Sequence, residues 1–94
     1  MMTSPNPATN TVSLEFASEF IAENVKSVEL IRDGDLRTAR SFQPAGDRAN
    51  PEYAAFLSNR TIAFDVTNLP RGRYYLSVVY KEGDKKFTEF VLLQ

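Results

Sequence analysis

Short runs in which apolar and polar side chains alternate recur along this 94-residue chain. Their period of two is that of half-buried β-strands, because successive side chains of a strand point to opposite faces. Stretches rich in Gly, Pro, Asn and Asp, which favour turns, separate the runs. The pattern predicts an all-β fold, a small immunoglobulin-like β-sandwich of about six to seven antiparallel strands. The runs occupy residues 11–16, 25–32, 35–42, 61–66, 73–81 and 87–93.

Two connections between the runs carry apolar residues that need a place in the core. In residues 17–24, Phe20 and Ile21 are expected to reach back to the core. Residues 43–60 are long for a connection in a compact domain, and their middle predicts either one helical turn or a short strand. Three apolar residues of this stretch are expected to pack on the sheet edge: Tyr53, Phe56 and Leu57.

One turn has a strong local signal. Asp33-Gly34 between two strand-like runs predicts a tight hairpin, because Gly accepts a positive φ without a Cβ clash. On the return strand, Arg37 and Arg40 are expected on the solvated face, near Glu29.

The net charge and the composition argue against several classes of function. The net charge is −1, so the chain has no basic excess with which to bind nucleic acid. It contains no Cys and therefore no disulfide framework, and no His, which removes the commonest general base and metal ligand. No residue set predicts a nucleophile, a metal centre or a cofactor site, so we expect no enzymatic activity.

The beginning of the chain differs from the rest. Residues 1–10 are polar and Pro-rich, which predicts a linker or lead-in segment before a single sandwich domain over residues 11–94. No apolar run approaches the ~20 residues of a membrane span. The basic and apolar regions of a signal peptide are also missing at the start. We therefore expect a domain excised from a longer exported protein.

Four segments of the chain together resemble one known family. Residues 5–9 read Pro-Asn-Pro-Ala-Thr, and residues 64–76 read Phe-Asp-Val-Thr-Asn-Leu-Pro-Arg-Gly-Arg-Tyr-Tyr-Leu. Residues 25–31 match a second strand, and a hairpin at Gly83 precedes a Lys-containing, apolar end. Together these segments resemble the C-terminal sorting domain (type A) of cargo proteins of the type IX secretion system of Bacteroidota.

The resemblance implies a targeting role. The folded domain would be read by the outer-membrane type IX translocon as an export signal and then removed by a cell-surface sortase. It would follow an N-terminal cargo domain in the parent protein. The domain would pass through the periplasm to the cell surface or the medium, and would itself catalyse no reaction.

If this interpretation is right, the last two strands and the turn before them are the expected contact surface. Arg71 and Arg73 are either contacts for an acidic partner or solvated residues of a loop tip, and Lys85 and Lys86 have the same two interpretations. Pro70 and Gly72 shape the turn first. The candidate translocon-binding residues are Arg71, Gly72, Arg73, Tyr75, Lys85, Lys86 and Phe90.

The aromatic residues near the end of the chain allow two interpretations. Tyr74 and Tyr80 are expected in the core. Tyr75 and Val79 lie on the opposite face, which is either a second buried face or a partner site. Because the run at 73–81 is apolar on both faces, we expect a central strand there.

The two acidic turns also allow two interpretations. Asp33 and Asp35 flank Gly34, while Glu82 and Asp84 flank Gly83. Such carboxylates would suit calcium if the turns met in space. Solvated hairpin turns are the favoured interpretation.

Other functions stay open beside the sorting domain. The main alternative is a small immunoglobulin-like binding module for carbohydrate or protein, with an apolar or aromatic patch away from the terminal hairpin. A hydrolytic or metal-dependent enzyme is the weakest hypothesis, because it needs a pocket with converging carboxylates. The domain is expected to be a monomer, or a weak dimer formed by strand pairing.

Overall fold

Seven strands and two short helices make up the part of the chain that the computed structural model describes, namely residues 2–4, 9–44, 49–82 and 86–94. In chain order they are β1 (Met2–Ser4), β2 (Thr11–Glu15), α1 (Glu19–Glu23), β3 (Val25–Arg32), β4 (Thr38–Phe42), α2 (Pro51–Asn59), β5 (Thr61–Asp65), β6 (Gly72–Tyr80) and β7 (Lys86–Leu93).

The strands form two antiparallel sheets. One has the order β1-β2-β5 and the other the order β4-β3-β6-β7. Apolar side chains at alternate positions of both sheets face each other and form the core, as in other β-sandwiches. The predicted fold class, a small all-β immunoglobulin-like sandwich, is confirmed. The central position predicted for the run at 73–81 is confirmed too, because β6 lies between β3 and β7.

The core is aliphatic in its middle and aromatic at one end. Val28, Leu30 and Leu76 have no exposed surface in the middle. At the end covered by α2, the rings of Phe16 and Phe56 meet edge to face, with centroids 6.0 Å apart. Because α2 supplies Tyr53, Phe56 and Leu57 to this end, the predicted packing of these three residues is confirmed.

Helix α2 has clear start and stop signals. Asn50 caps its first turn through Oδ1, which accepts hydrogen bonds from the backbone N–H groups of Glu52 at 2.9 Å and Tyr53 at 3.3 Å. Pro51 follows at a position where no intrahelical N–H is needed. Arg60 ends the helix with a φ of 57°. A nine-residue helix therefore stands where one turn or a short strand was expected.

The expected position of Phe20 is wrong. Ser18 caps the short helix α1 by accepting a hydrogen bond from the Ile21 N–H at 3.1 Å. Ala22 is fully buried and Ile21 packs on the core, whereas Phe20 is 73% exposed. Helical geometry explains the difference, since residues two apart on a helix point to roughly opposite sides.

The predicted two-residue hairpin at Asp33-Gly34 is also different in the structure. The turn is longer, because the Leu36 N–H donates to the Arg32 carbonyl at 2.8 Å and the Arg32 N–H donates to the Arg37 carbonyl at 2.9 Å. Leu36, with a φ of 57°, adopts the left-handed conformation that was expected of Gly34.

Arg40 does not lie on the solvated face. It pairs with the buried Leu30, which places it on the inner side of the sheet, next to a register shift between β3 and β4. Its Nε donates to the Asp65 carbonyl of the other sheet at 3.0 Å. Arg40 thus bridges the two sheets, and Thr38 binds Glu29 instead, with Oγ1 2.9 Å from Oε2.

The lead-in segment contains a strand in its first residues. The backbone of Met2–Ser4 pairs antiparallel with the end of β2. These residues precede Pro5, so every N–H that a ladder needs is present. Residues 5–8, the first four of the Pro-Asn-Pro-Ala-Thr motif, lie outside the described residues.

A tyrosine corner closes the turn before β6. The Tyr74 hydroxyl donates to the Pro70 carbonyl, four residues upstream, at 2.7 Å, and the Tyr74 ring is buried in the core. This arrangement is a recurrent feature at the start of the sixth strand of immunoglobulin-like sandwiches. It confirms the predicted burial of Tyr74, while Tyr80 is partly buried against the same core.

We expect Tyr74→Phe to lower the free energy of unfolding by about 1 kcal/mol, the net value of one hydrogen bond. The ring stays in place, so the loss reports the hydroxyl alone. Urea denaturation followed by circular dichroism measures it. An unchanged midpoint would mean that water replaces the hydroxyl at the Pro70 carbonyl without cost.

Candidate functional site

Arg71 connects parts of the chain that are far apart in sequence. Its Nη1 donates to the carbonyl oxygen of Thr9 at 2.7 Å and to the main-chain oxygen of Gln94 at 3.4 Å. Thr9 is the last residue of the Pro-Asn-Pro-Ala-Thr motif, and Gln94 follows β7. The guanidinium therefore holds the end of the lead-in beside the end of the last strand.

The same side chain also binds its own turn. Nη2 of Arg71 donates to the carbonyls of Leu69 at 2.7 Å, Thr67 at 3.3 Å and Val66. A planar guanidinium with five N–H groups suits such a set of oxygens. We call this group the Arg71 cluster: Arg71 with the main-chain oxygens of Thr9, Val66, Thr67, Leu69 and Gln94.

The cluster changes the interpretation of Arg71. The sequence left two roles open, a solvated loop tip or a contact for an acidic partner. In the structure the guanidinium is occupied by the carbonyls of the domain itself. This arrangement supports a structural role for Arg71, which holds the turn, rather than a direct contact with a partner.

The turn that contains Arg71 starts at Asp65, whose carboxylate caps a backbone N–H of the turn. Oδ1 of Asp65 accepts the Thr67 N–H at 3.0 Å, and the Val66 N–H donates to the Asn10 carbonyl at 2.9 Å. The hydrogen bonds from the Thr67 backbone and side chain, together with the positive charge of Arg40, lower the pKa of Asp65 below its ordinary value of 3.8.

This pKa shift predicts that the stability of the domain depends on pH. Because the folded-state pKa of Asp65 lies below its unfolded value, its ionised form stabilises the domain above pH 3.8, and that contribution is lost as the pH falls through the lowered pKa. We expect Asp65→Asn to flatten the fall in stability between about pH 5 and about pH 2. Urea midpoints across this range test it, and superimposable profiles of variant and wild type would contradict it.

Gly72 has a conformational role. Its φ is +136°, a value that side-chain-bearing residues rarely adopt, and a Cβ added there would meet no atom within 4 Å. The requirement for Gly is therefore set by the backbone and not by the space around it. This confirms the expectation that Gly72 shapes the turn.

The exposed face of β6 and β7 carries an aromatic and cationic surface. Tyr75 and Phe90 are opposite each other on the two strands, with ring centroids 6.1 Å apart and planes at 70°. The Arg73 guanidinium carbon lies 5.8 Å from the Phe90 ring centroid. Phe90 is 57% exposed and Leu92, opposite Arg73, is 42% exposed. We call Arg73, Tyr75, Phe90 and Leu92 the outer-face patch.

Three of the predicted site residues thus meet in one place, and Leu92 is an addition. The sequence signal for Leu92 was present, because it lies two residues after Phe90 and therefore on the same face of a strand. Val79 is half-buried on this face, opposite Lys86. Lys85 and the side chain of Lys86 lie outside the described residues.

Of the two acidic turns, only the one around Gly34 lies wholly within the described residues. Asp35 lies near two arginines, with Oδ2 3.7 Å from Arg32 Nη1 and 3.9 Å from Arg37 Nε. Asp84 of the other turn lies outside the described residues. Within the described ranges, no group of three potential metal ligands comes together.

No known protein family matches the chain, and no curated protein sequence matches it. Within the described part of the chain, no helix has the length and apolar character that crossing a bilayer requires.

Proposed function

We propose that this domain is a non-catalytic C-terminal export signal of the type IX secretion system. It directs an N-terminal cargo domain through the outer-membrane translocon, and a cell-surface sortase then removes it. The proposal starts from the four sequence segments that resemble type A sorting domains.

The Arg71 cluster is the observation that carries this proposal. Thr9 ends the segment at residues 5–9 of the resemblance, and the Leu69–Gly72 turn lies in the segment at residues 64–76. The hydrogen bond from Arg71 to Thr9 joins residues that are 62 positions apart in the sequence. They are in direct contact, together with Gln94. Segments that resemble one family and also meet in space form one structural unit, as expected if a receptor reads the folded domain.

The outer-face patch is the contact surface that we propose for the translocon. Aromatic residues and Arg are the side chains most often found at the centre of protein interfaces. An exposed group of such residues on one sheet face is unusual for a domain without partners. Rigid strands in the middle and at the edge of the sheet hold Tyr75 and Phe90, so little order is lost on binding.

The patch also helps to choose between the two functions left open. A carbohydrate- or protein-binding module was expected to carry its patch away from the terminal hairpin. The outer-face patch lies on β6 and β7, the two strands of that hairpin. This position favours the export signal.

A fusion experiment tests the proposal. Residues 3–94 are attached to the C-terminus of a periplasmic reporter with its own signal peptide. The reporter is expressed in a type IX-competent host and in a translocon-deficient strain of that host. We expect reporter activity outside the first strain and retention in the second. Retention in both, with the domain folded, would contradict the proposal.

Two matched variants separate the patch from the fold. Phe90→Ser removes the central ring of the outer-face patch, and we expect it to reduce export at least about tenfold through loss of an interface anchor. Phe20→Ser is the control, because Phe20 is even more exposed, at 73%, and lies on α1. Equal export of both variants would remove the patch from the proposed contact surface.

A further inference from the structure

The edge of the three-stranded sheet offers unpaired main-chain groups. β5 pairs with β2 on one side only. The Phe16 N–H donates to the Arg60 carbonyl, and the Val66 N–H donates to the Asn10 carbonyl. Given the register of β2 and β5, the even-numbered residues of β5 are therefore the ones whose backbone groups bond to β2. The N–H and C=O groups of Thr61 and Ala63 therefore point away from β2. Among the described residues, none bonds these four groups on that side.

A groove runs along this edge. It is an open cavity of about 250 Å³, lined on one side by Thr61 and Ala63 of β5 and on the other by Ala55 of α2. The rings of Phe42 and Phe56 form its apolar floor, with centroids 5.2 Å apart. We call it the α2–β5 groove.

The charge at the groove is negative. Glu52, in the first turn of α2, lines one end, and Asn59, at the last turn, lines the other. Among the described residues, Glu52 forms no ion pair within 4 Å. A Lys or Arg of an incoming segment would find its complement there.

We propose that the α2–β5 groove binds an extended segment of a partner protein, which adds a strand to β5. The main chain of the segment bonds to Thr61 and Ala63, an aliphatic side chain enters the cavity over Phe42 and Phe56, and a basic side chain two residues away pairs with Glu52. Strand addition of this kind uses main-chain bonds for affinity and alternate side chains for selection. The site lies on the sheet opposite to the outer-face patch, and the proposal does not depend on the export function.

A second copy of this chain fits the groove less well. If β5 paired with β5 of another copy, the apolar side chains Ile62 and Phe64 would stay buried in their own cores. The cavity over Phe42 would then stay unfilled, and the paired strand would bring no basic side chain to Glu52, since Thr61–Asp65 contains none. The groove therefore favours a partner with its own aliphatic and basic side chains.

Binding of defined peptides tests the proposal. The probes are fluorescein-labelled hexapeptides of sequence Lys-Thr-X-Thr-Lys-Thr, in which X is Leu, Ile, Val, Met, Gly or Asp. Lysine on both sides of X allows either strand direction. With the folded domain, we expect fluorescence anisotropy to show saturable binding for aliphatic X, at least about tenfold tighter than for Gly or Asp. Nuclear magnetic resonance should show the largest amide shifts at Thr61 and Ala63.

Three variants and one matched control locate the binding. Ala55→Trp fills the groove, and Ala54→Trp is the matched control, because Ala54 is also exposed on α2 but does not line the cavity. Ala63→Pro removes one outward N–H at a sheet edge, where Pro is tolerated. We expect Ala55→Trp and Ala63→Pro each to weaken binding at least about tenfold, and Glu52→Gln about threefold at low salt. Circular dichroism confirms that each variant is folded, and Ala55→Trp suffices should Ala63→Pro unfold.

Three outcomes would overturn the proposal. The first is no saturable binding for any aliphatic X, and the second is binding that Ala55→Trp and Ala54→Trp weaken equally. The third is a dimer, seen by size-exclusion chromatography with light scattering, that Ala55→Trp abolishes. That result would assign the β5 edge to a second copy of this chain.

Discussion

Arg71→Ala should cost the domain about 2–3 kcal/mol of its free energy of unfolding, a larger loss than any other exposed side chain would cause. The Arg71 cluster contains charged hydrogen bonds to five main-chain oxygens, and bonds of this type are worth more than neutral ones. The estimate is well below the sum of the bonds, because water reaches the exposed carbonyls once the side chain is gone. For a domain of this size the melting temperature should fall by about 10–20 °C.

Arg73→Ala is the matched control for this result. Arg73 is two residues away and also exposed, but its guanidinium carbon lies 5.8 Å from the centroid of the Phe90 ring. An exposed cation–π contact is worth about 0.5–1 kcal/mol. Differential scanning calorimetry of the two variants separates the roles, and equal losses would mean that the Arg71 cluster does not hold the fold.

The two variants should also differ in the export assay. Arg73→Ala removes part of the outer-face patch and leaves the Arg71 cluster intact, so a folded domain that is exported poorly is expected. Arg71→Ala should impair export only in step with the loss of folded domain, which limited proteolysis measures. Poor export of a fully folded Arg71→Ala variant would show that the guanidinium has a direct role in recognition.

Gly72→Ala is expected to destabilise the domain by about 2 kcal/mol. The added Cβ meets no atom within 4 Å, so the cost comes from holding a residue with a side chain at a φ of +136°. The strained residue begins β6 and pairs with Leu93, which places the strain at the junction of the turn and the terminal hairpin. Urea denaturation with Tyr fluorescence measures the loss.

Gly34→Ala is the control for the glycine prediction. Gly34 is exposed, a Cβ there also meets no atom within 4 Å, and its φ is not in the positive range. Since Ala restricts the unfolded chain more than Gly, this variant should be neutral or slightly stabilising. A loss at Gly34 equal to the loss at Gly72 would mean that the positive φ is not what requires glycine at position 72.

The stability losses expected for Arg71→Ala and Gly72→Ala have a common physical origin in the 65–72 turn. Asp65, Arg71, Gly72 and Tyr74 each satisfy a local requirement of this turn: a capped N–H, carbonyl oxygens, a positive φ and a hydroxyl bond to Pro70. The segment in which the sequence most resembles type IX sorting domains, residues 64–76, therefore coincides with a segment under strong structural constraint. The candidate recognition residues Arg73 and Tyr75 follow directly on β6, and the turn holds them in position.

Local patterns in the sequence were sufficient for most of the fold. The period of two in residues 11–16 and 61–66 predicted the strands, because burial of alternate side chains needs no knowledge of the partner strand. The same reasoning placed Tyr74 inside and Tyr75 on the opposite face of one strand, and left open whether that face is buried or binds a partner. Pro70 and Gly72 predicted the turn, since each restricts φ by its own covalent structure.

Long-range contacts decided the rest. Phe20 is exposed because α1 presents Ala22 to the core, and Arg40 bridges the sheets because a register shift turned it inward. The Arg71 cluster and the α2–β5 groove join residues that are distant in sequence, such as Thr9 with Gln94 and Phe42 with Ala63. The sequence alone determined which residues alternate and where the chain turns. Only the tertiary structure decided which carbonyls meet Arg71 and which strand edge stays open, because sheet order and register arise from packing between segments and not from any one of them.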